Sequence, residues 1–126
     1  MNQILNIVFI VLLVAGAIYF LTGSNVESIS VDQLRSRFNS NKNIGLIDVR
    51  SSSEYYGKLG HIEGSILIPL GDLKENINKI NSAQYDEIYT ICLSGGRSAK
   101  AVNILNNNNI KAINVRGGMA AWNMLK

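Results

Sequence analysis

Glu87-Ile88-Tyr89-Thr90-Ile91-Cys92-Leu93-Ser94-Gly95-Gly96-Arg97-Ser98-Ala99 carries a strand, a turn and the start of a helix in one short stretch. Glu87 to Ile91 is dominated by β-branched and aromatic side chains, the composition of a short strand. Cys92 to Arg97 reads as a tight loop, because two consecutive glycines let the backbone take conformations that other residues resist. From Ser98 to Asn107, Ala101, Ile104 and Leu105 fall on one side of a helix. A strand that passes through a Gly-rich loop into a helix is an α/β unit. At the carboxyl end of its strand, the N–H groups of the loop and of the helix N-terminus converge.

The same alternation extends on both sides of that unit. Ser30-Val31-Asp32-Gln33 has the form of a capping box, so a helix is expected from Val31 to about Asn39, burying Val31, Leu34 and Phe38. Ile44 to Val49 and Ser65 to Ile68 read as further strands, the second ended by Pro69, and Ala112 to Val115 as the last. Ser51-Ser52-Ser53-Glu54 is a second capping box, and Leu70 to Ile80 has amphipathic helical spacing. The Asn106 to Asn109 run closes a helix, since Asn tolerates the left-handed conformation. Strands alternating with helices predict an α/β sandwich around a mainly parallel sheet.

Upstream the chain changes character. Met1 to Val26 has no charged side chain, and Ile4 to Leu21 is apolar apart from Asn6 and Gly16. As a helix rising about 1.5 Å per residue, that run approaches the hydrocarbon thickness of a bilayer, so a transmembrane anchor through residues 4–21 is expected, with Tyr19 at the interface. A cleaved signal peptide fits less well, because no Lys or Arg precedes the run. Residues 1–27 are thus expected to be anchor and linker, the latter at Thr22-Gly23-Ser24-Asn25, and 28–126 one domain. With Arg35, Arg37 and Lys42 following the run, the positive-inside rule puts that domain in the cytoplasm.

Cys92 is the only cysteine, which excludes an internal disulfide, and no second Cys or His stands at ligand spacing, so no metal is expected. The 12 Lys and Arg are scattered among 9 Asp and Glu rather than clustered in a groove, which gives no nucleic-acid partner. A cysteine at the mouth of a Gly-rich turn, beside a helix N-terminus and Arg97, is placed to be a nucleophile of lowered pKa. Successive N–H groups of such a turn form a nest for a negative charge. Arg97 suits anion binding or a capping role equally.

In order along the chain, Asp48-Val49-Arg50, Glu54, Gly60-His61-Ile62-Glu63-Gly64-Ser65, Ile68-Pro69-Leu70, Cys92 to Ala99, and Gly117-Gly118-Met119 with Trp122 resemble the rhodanese homology domain. The resemblance runs from about Ser28 to the end. It implies a three-layer sandwich on a five-stranded parallel sheet, and a Cys92 that takes a sulfane sulfur from a donor such as thiosulfate and passes it as a persulfide to cyanide or a thiol. Leu93, Ser94, Gly95, Gly96, Arg97 and Ser98 would bind the donor, a small anion or a protein persulfide, with no cofactor. It also suggests that Asp48 and Arg50 fix neighbouring loops through ion pairs, such as Arg50 with Glu54, and that His61 is structural. Trp122 is simplest as core packing of the last helix.

Two alternatives remain open on the residues alone. A cysteine phosphatase also surrounds an anion with a cysteine, an arginine and a helix N-terminus. Its loop, however, has one residue more than the stretch from Leu93 to Gly96, and usually a histidine where this chain has Ile91. A rhodanese module used only for binding or regulation would have no need to retain Cys92 in its loop.

Overall fold

The computed structural model describes residues 2–22 and 26–126, with side chains described for 2–17 and 26–126. The elements are α1 (Asn2–Thr22), β1 (Ser28–Ile29), α2 (Val31–Phe38), β2 (Ile44–Asp48), α3 (Ser52–Tyr55), β3 (Ile66–Leu67), α4 (Leu70–Leu73), β4 (Glu87–Ile91), α5 (Gly96–Asn107), β5 (Ile113–Val115) and α6 (Gly118–Met124). Two 3₁₀ segments, Lys74–Lys79 and Ser82–Gln84, lie between α4 and β4.

The five strands pair in the order β1-β5-β4-β2-β3, every pair parallel. Successive side chains of a strand point to opposite faces, so the apolar strands supply two cores. Ile47 and Ile88 join Val102, Leu105 and Leu73 on the α4 and α5 face, while Leu46, Tyr89 and Ile91 join Leu34, Val115 and Met119 on the α2 and α6 face. Parallel strands need crossover connections, and here they diverge: β2 leads outward to β3, whereas β4 leads the other way to β5. The crevice at the carboxyl ends of β2 and β4 is therefore a topological switch point, where sheets of this kind bind their ligands.

The capping boxes form as the spacing predicts. Ser30 Oγ accepts from Gln33 N–H and the Gln33 side chain accepts from Ser30 N–H, with Ser51 and Glu54 repeating the exchange at α3. Asn109 takes the left-handed conformation at φ 63°. Two expectations need revision, and one strand had not been expected. Leu70 to Ile80 is not one helix: α4 stops at Leu73, and Asn76 departs from helical geometry while its Nδ2 donates to the Asp72 carbonyl at 2.7 Å, a side chain drawing on helix hydrogen-bonding capacity. Phe38 stays 38% exposed, packed edge-on against Trp122 at 6.3 Å instead of entering the core. β1, only Ser28–Ile29, was not apparent as a strand and lies along β5 at the sheet edge.

The expected transmembrane anchor is also corrected. Among the described residues no helix is long and apolar enough to cross a membrane. A single-pass topology through residues 4–21, a membrane partner and a cytoplasmic placement deduced from that topology accordingly have no support. The parts of the expectation that fell on the side chains of Ile18 to Leu21, including Tyr19, and on the linker at Gly23 to Asn25 lie outside the described residues. Ile4, Leu5, Phe9 and Leu13 are exposed, and no described side chain of this helix enters the domain core.

Candidate functional site

The chain leaves β4 at Ile91 and turns at once. Gly95 caps α5 with φ 115°, a left-handed conformation that only glycine adopts without strain, and the helix begins at Gly96, two residues before its expected start at Ser98. Gly96 and Arg97 therefore belong to the first turn, and Ser98 lies where its hydroxyl and N–H look back over the loop. Cys92 is 1% exposed, while Leu93 and Ser94 stand on the surface above it. Gly95 N–H donates to Cys92 Sγ at 3.0 Å, and Ser98 Oγ lies 3.3 Å from the same sulfur. Burial raises the Cys92 pKa, but the Ser98 hydroxyl and the N–H groups of Ser98, Gly95 and Ser94 outweigh it, so the net shift is downward. The nest expected from the two glycines is thus completed by Ser98.

The loop carbonyls are turned away from that centre by α6. Met119 N–H donates to the Cys92 carbonyl at 2.8 Å and Ala120 N–H to the Leu93 carbonyl at 3.0 Å. These are first-turn N–H groups of a helix, which need acceptors outside it, so one helix end is satisfied by holding the loop after β4. The approach requires Gly118, at φ 55°: a Cβ there would stand 2.6 Å from the Leu93 carbonyl oxygen. Gly118→Ala combines left-handed strain of about 1–3 kcal/mol with that collision. We expect a loss of about 2 kcal/mol or more, and a melting temperature lower by about 8 °C or more. Differential scanning calorimetry reads the effect; an unchanged melting temperature would show that the loop can retreat without cost.

Arg97 is engaged by a carboxylate. Its Nη1 and Nη2 donate to Glu54 Oε1 and Oε2 at 2.7 and 2.8 Å, a bidentate pair across the rim of the loop. Hydrogen bonding from Arg97 holds the Glu54 carboxyl down at about 2. A carboxylate lowered by folding stabilises the fold above its unfolded pKa, and that contribution fades as pH falls through its folded value. The pair is about one-third exposed, so its contribution is modest. In Arg97→Gln, the Glu54 side chain should titrate well above about 2 and nearer the free value of about 4.3. Carboxyl-carbon NMR checks this, and a Glu54 titration unmoved by the substitution would show that the pair does not form in solution.

Arg50 also has a different partner from the one expected. It grips Asp48, not the Glu54 carboxylate: Nε donates to Asp48 Oδ1 at 2.9 Å and Nη2 to Oδ2 at 2.7 Å, with both side chains almost fully buried. The remaining donors reach the carbonyls of Gly60 at 2.8 Å and Glu54 at 3.3 Å. Asp48 and Arg50 thereby tie the end of β2 to α3 and to the turn after it, which sets where Glu54 meets Arg97. His61 lies within this framework, its ring stacked on Tyr55 at 3.7 Å and its Nδ1 2.9 Å from the Tyr55 carbonyl.

Beside the loop is a cavity of about 240 Å³ lined by Ser53, Glu54, Lys58, Leu59 and Leu93, among others. Among the described residues no group of His, Cys, Asp and Glu side chains converges as a metal site would require. Composition and motif reading did not single out Asn114, which accepts from Ser98 Oγ at 2.6 Å, or the N–H groups of Met119 and Ala120. A polar residue within the otherwise apolar strand β5 was the available signal for the first; backbone donors leave none.

The rhodanese-like domain model matches residues 30–125. The chain is 36% identical over 100 residues to the putative sulfur carrier protein YrkF of Bacillus subtilis (strain 168), covering 79% of this chain and 52% of that protein, so it spans about half that relative's length. It is 32% identical over 97 residues to the putative sulfurtransferase YtwF of the same organism, covering 77% of this chain and 90% of that protein. The crystal structure of a rhodanese-like domain protein from Staphylococcus aureus superimposes with a TM-score of 0.69 at 38% identity, over 76% of this chain and 90% of that one. With the family model covering nearly all of the sheet and its helices, the chain belongs to the rhodanese-like domain family.

Proposed function

We propose that residues 28–126 form a sulfurtransferase in which Cys92 carries the sulfur and the segment from Leu93 to Ser98 receives the donor. The observation that carries this reading is the Gly95 N–H donated to Cys92 Sγ at 3.0 Å, with the Ser98 hydroxyl 3.3 Å from the same atom. The Gly95 N–H favours negative charge at that point, as does the Ser98 hydroxyl when its hydrogen is turned to the sulfur, and negative charge is what the reaction puts there twice. First the Cys92 thiolate attacks the sulfane sulfur of a donor such as thiosulfate; a new S–S bond forms, the old one breaks, and sulfite leaves with the electron pair. Then an acceptor, cyanide or a thiolate, attacks the outer sulfur of the persulfide. The acceptor keeps that sulfur, and the electron pair returns to Cys92 as thiolate.

Electrons balance within each displacement, so neither step calls for a redox cofactor. Because Cys92 lies at the loop floor with only 1% exposure, the donor must extend a sulfur inward past Leu93 and Ser94. A small anion or an extended protein persulfide meets that requirement. The test is incubation of the chain with thiosulfate and cyanide, and separately with an aryl phosphate. Thiocyanate and sulfite should appear and phosphate should not. Efficient phosphate release without thiocyanate would replace sulfur transfer with phosphoester hydrolysis.

A further inference from the structure

Asn114 lies on β5, 5% exposed, between two hydroxyls. Ser98 Oγ donates to its Oδ1 at 2.6 Å, and its Nδ2 donates to Ser28 Oγ at 3.4 Å. Ser28 is its register partner on β1, and Ser28 Oγ in turn donates to the Val26 carbonyl at 3.3 Å. The other end of this row touches the reactive sulfur, since Ser98 Oγ is 3.3 Å from Cys92 Sγ. Ser98 itself is fixed: its carbonyl accepts from Thr90 Oγ1 at 2.9 Å, so only its hydroxyl is free to turn.

A hydroxyl has one hydrogen to give. While Ser98 gives it to Asn114, Ser98 can meet the sulfur only as an acceptor, which matches a Cys92 thiol donating S–H. An anionic sulfur needs the hydrogen itself. Turning the hydroxyl toward the sulfur would strand Asn114 Oδ1 in the core, where among the described residues every buried side-chain N and O has a partner. Half a turn of the amide avoids this. Nδ2 then donates to Ser98 Oγ, Oδ1 accepts from Ser28 Oγ, and the Val26 carbonyl, on a partly exposed residue, is left to water.

We propose that Asn114 is a positioning residue for sulfur transfer, an amide with two orientations that sets whether Ser98 accepts from a Cys92 thiol or donates to an anionic sulfur. No proton passes along the row; the thiol proton goes to solvent, and each hydroxyl keeps its own hydrogen. The charged groups around the loop and the row are Arg97 on α5, paired with Glu54 of α3, the Asp48 and Arg50 pair at the end of β2, and Arg116 after β5, whose exposed side chain donates from Nη1 to the Ser28 carbonyl at 3.5 Å. Both pairs are internally neutralised, which leaves the neutral row as the adjustable element.

The proposal rests on Cys92 as the sulfur carrier, and its test reads the protonation of Cys92 without any transfer of sulfur, so the two can fail separately. In the full chain with isotopically labelled nitrogen, the side-chain amide resonances of Asn114 should shift across the pH at which Cys92 ionises and stay constant in Cys92→Ser. Constant resonances in the wild type would overturn the proposal. The pH midpoint of Cys92 alkylation gives a second reading. Asn114→Asp offers only acceptors, keeps the Ser98 hydrogen away from the sulfur and should raise the midpoint. Its added charge alone would do the same in Ser98→Ala, so the rise should be about twofold larger, in pH units, when Ser98 is present. Equal rises in both backgrounds would leave Asn114 no role through Ser98 and sink the idea.

Discussion

Cys92→Ser should abolish thiocyanate formation from thiosulfate and cyanide, by about a thousandfold or more, while the domain stays folded. The size of the effect follows from the nucleophile. The Ser98 hydroxyl and the N–H groups of Ser98, Gly95 and Ser94 lower the Cys92 pKa and so favour the thiolate, whereas a serine hydroxyl in the same cradle stays protonated and attacks sulfur poorly. The fold survives because a hydroxyl fills nearly the same space as the thiol and can accept the Gly95 N–H now given to Sγ. Sulfite release and a melting curve together check the prediction. Retained turnover in the variant would place the sulfur carrier elsewhere, and a collapsed melting curve would mean that Cys92 holds the core together rather than reacting.

The second large effect is on stability. Asp48→Asn keeps the size of the side chain, but it turns one of the two accepting oxygens into a donor facing the guanidinium and leaves the Arg50 cation, 1% exposed, without its counter-charge. Breaking one side of a buried pair typically costs about 3–5 kcal/mol, more than the pair itself contributes over an apolar replacement. For a domain of this size the melting temperature should fall by about 12 °C or more. The double variant Asp48→Leu with Arg50→Met removes both charges, and it should recover much of that loss. The order of the two melting temperatures is the discriminating result. If the double variant is the less stable, the carbonyls of Gly60 and Glu54 that Arg50 holds matter more than the uncompensated charge.

What was legible in the sequence follows from how local the determining physics is. The capping boxes at Ser30 and Ser51 and the strand Glu87–Ile91 depend on neighbours a few residues apart, and they form where the spacing places them. The Gly-rich loop after β4 was readable for the same reason. The start of α5 was not, because it depends on the left-handed turn at Gly95 that lets Gly96 enter the helix. β1 has only two residues and is a strand through its pairing with β5, which no local pattern encodes. Residues 70–80 have helical spacing throughout, yet the Asn76 side chain hydrogen-bonds the Asp72 carbonyl near the point where regular helix is lost.

The site divides in a similar way. Cys92 and its glycines were visible as chemistry in a turn, and Ser98 as part of the same motif. The partners of the arginines were not: a charge in a sequence does not name its counter-charge, and Glu54 pairs with Arg97 while Asp48 takes Arg50. The hold of α6 on the carbonyls of Cys92 and Leu93 is made by backbone N–H groups, which every non-proline residue carries, so only the glycine that permits the approach leaves a trace. The apolar N-terminal run was legible as composition, but apolarity alone did not make it a span: no described helix is long and apolar enough to cross a membrane.

If sulfur is held covalently on Cys92, the mass of the intact chain reports it. After incubation with thiosulfate and removal of excess donor, the chain should be heavier by one sulfur atom, with peptide mapping placing that atom on the segment containing Cys92. Addition of cyanide or a reducing thiol should return the original mass. A chain that releases sulfite or thiocyanate but never carries the added sulfur, or that carries it away from Cys92, would contradict the persulfide.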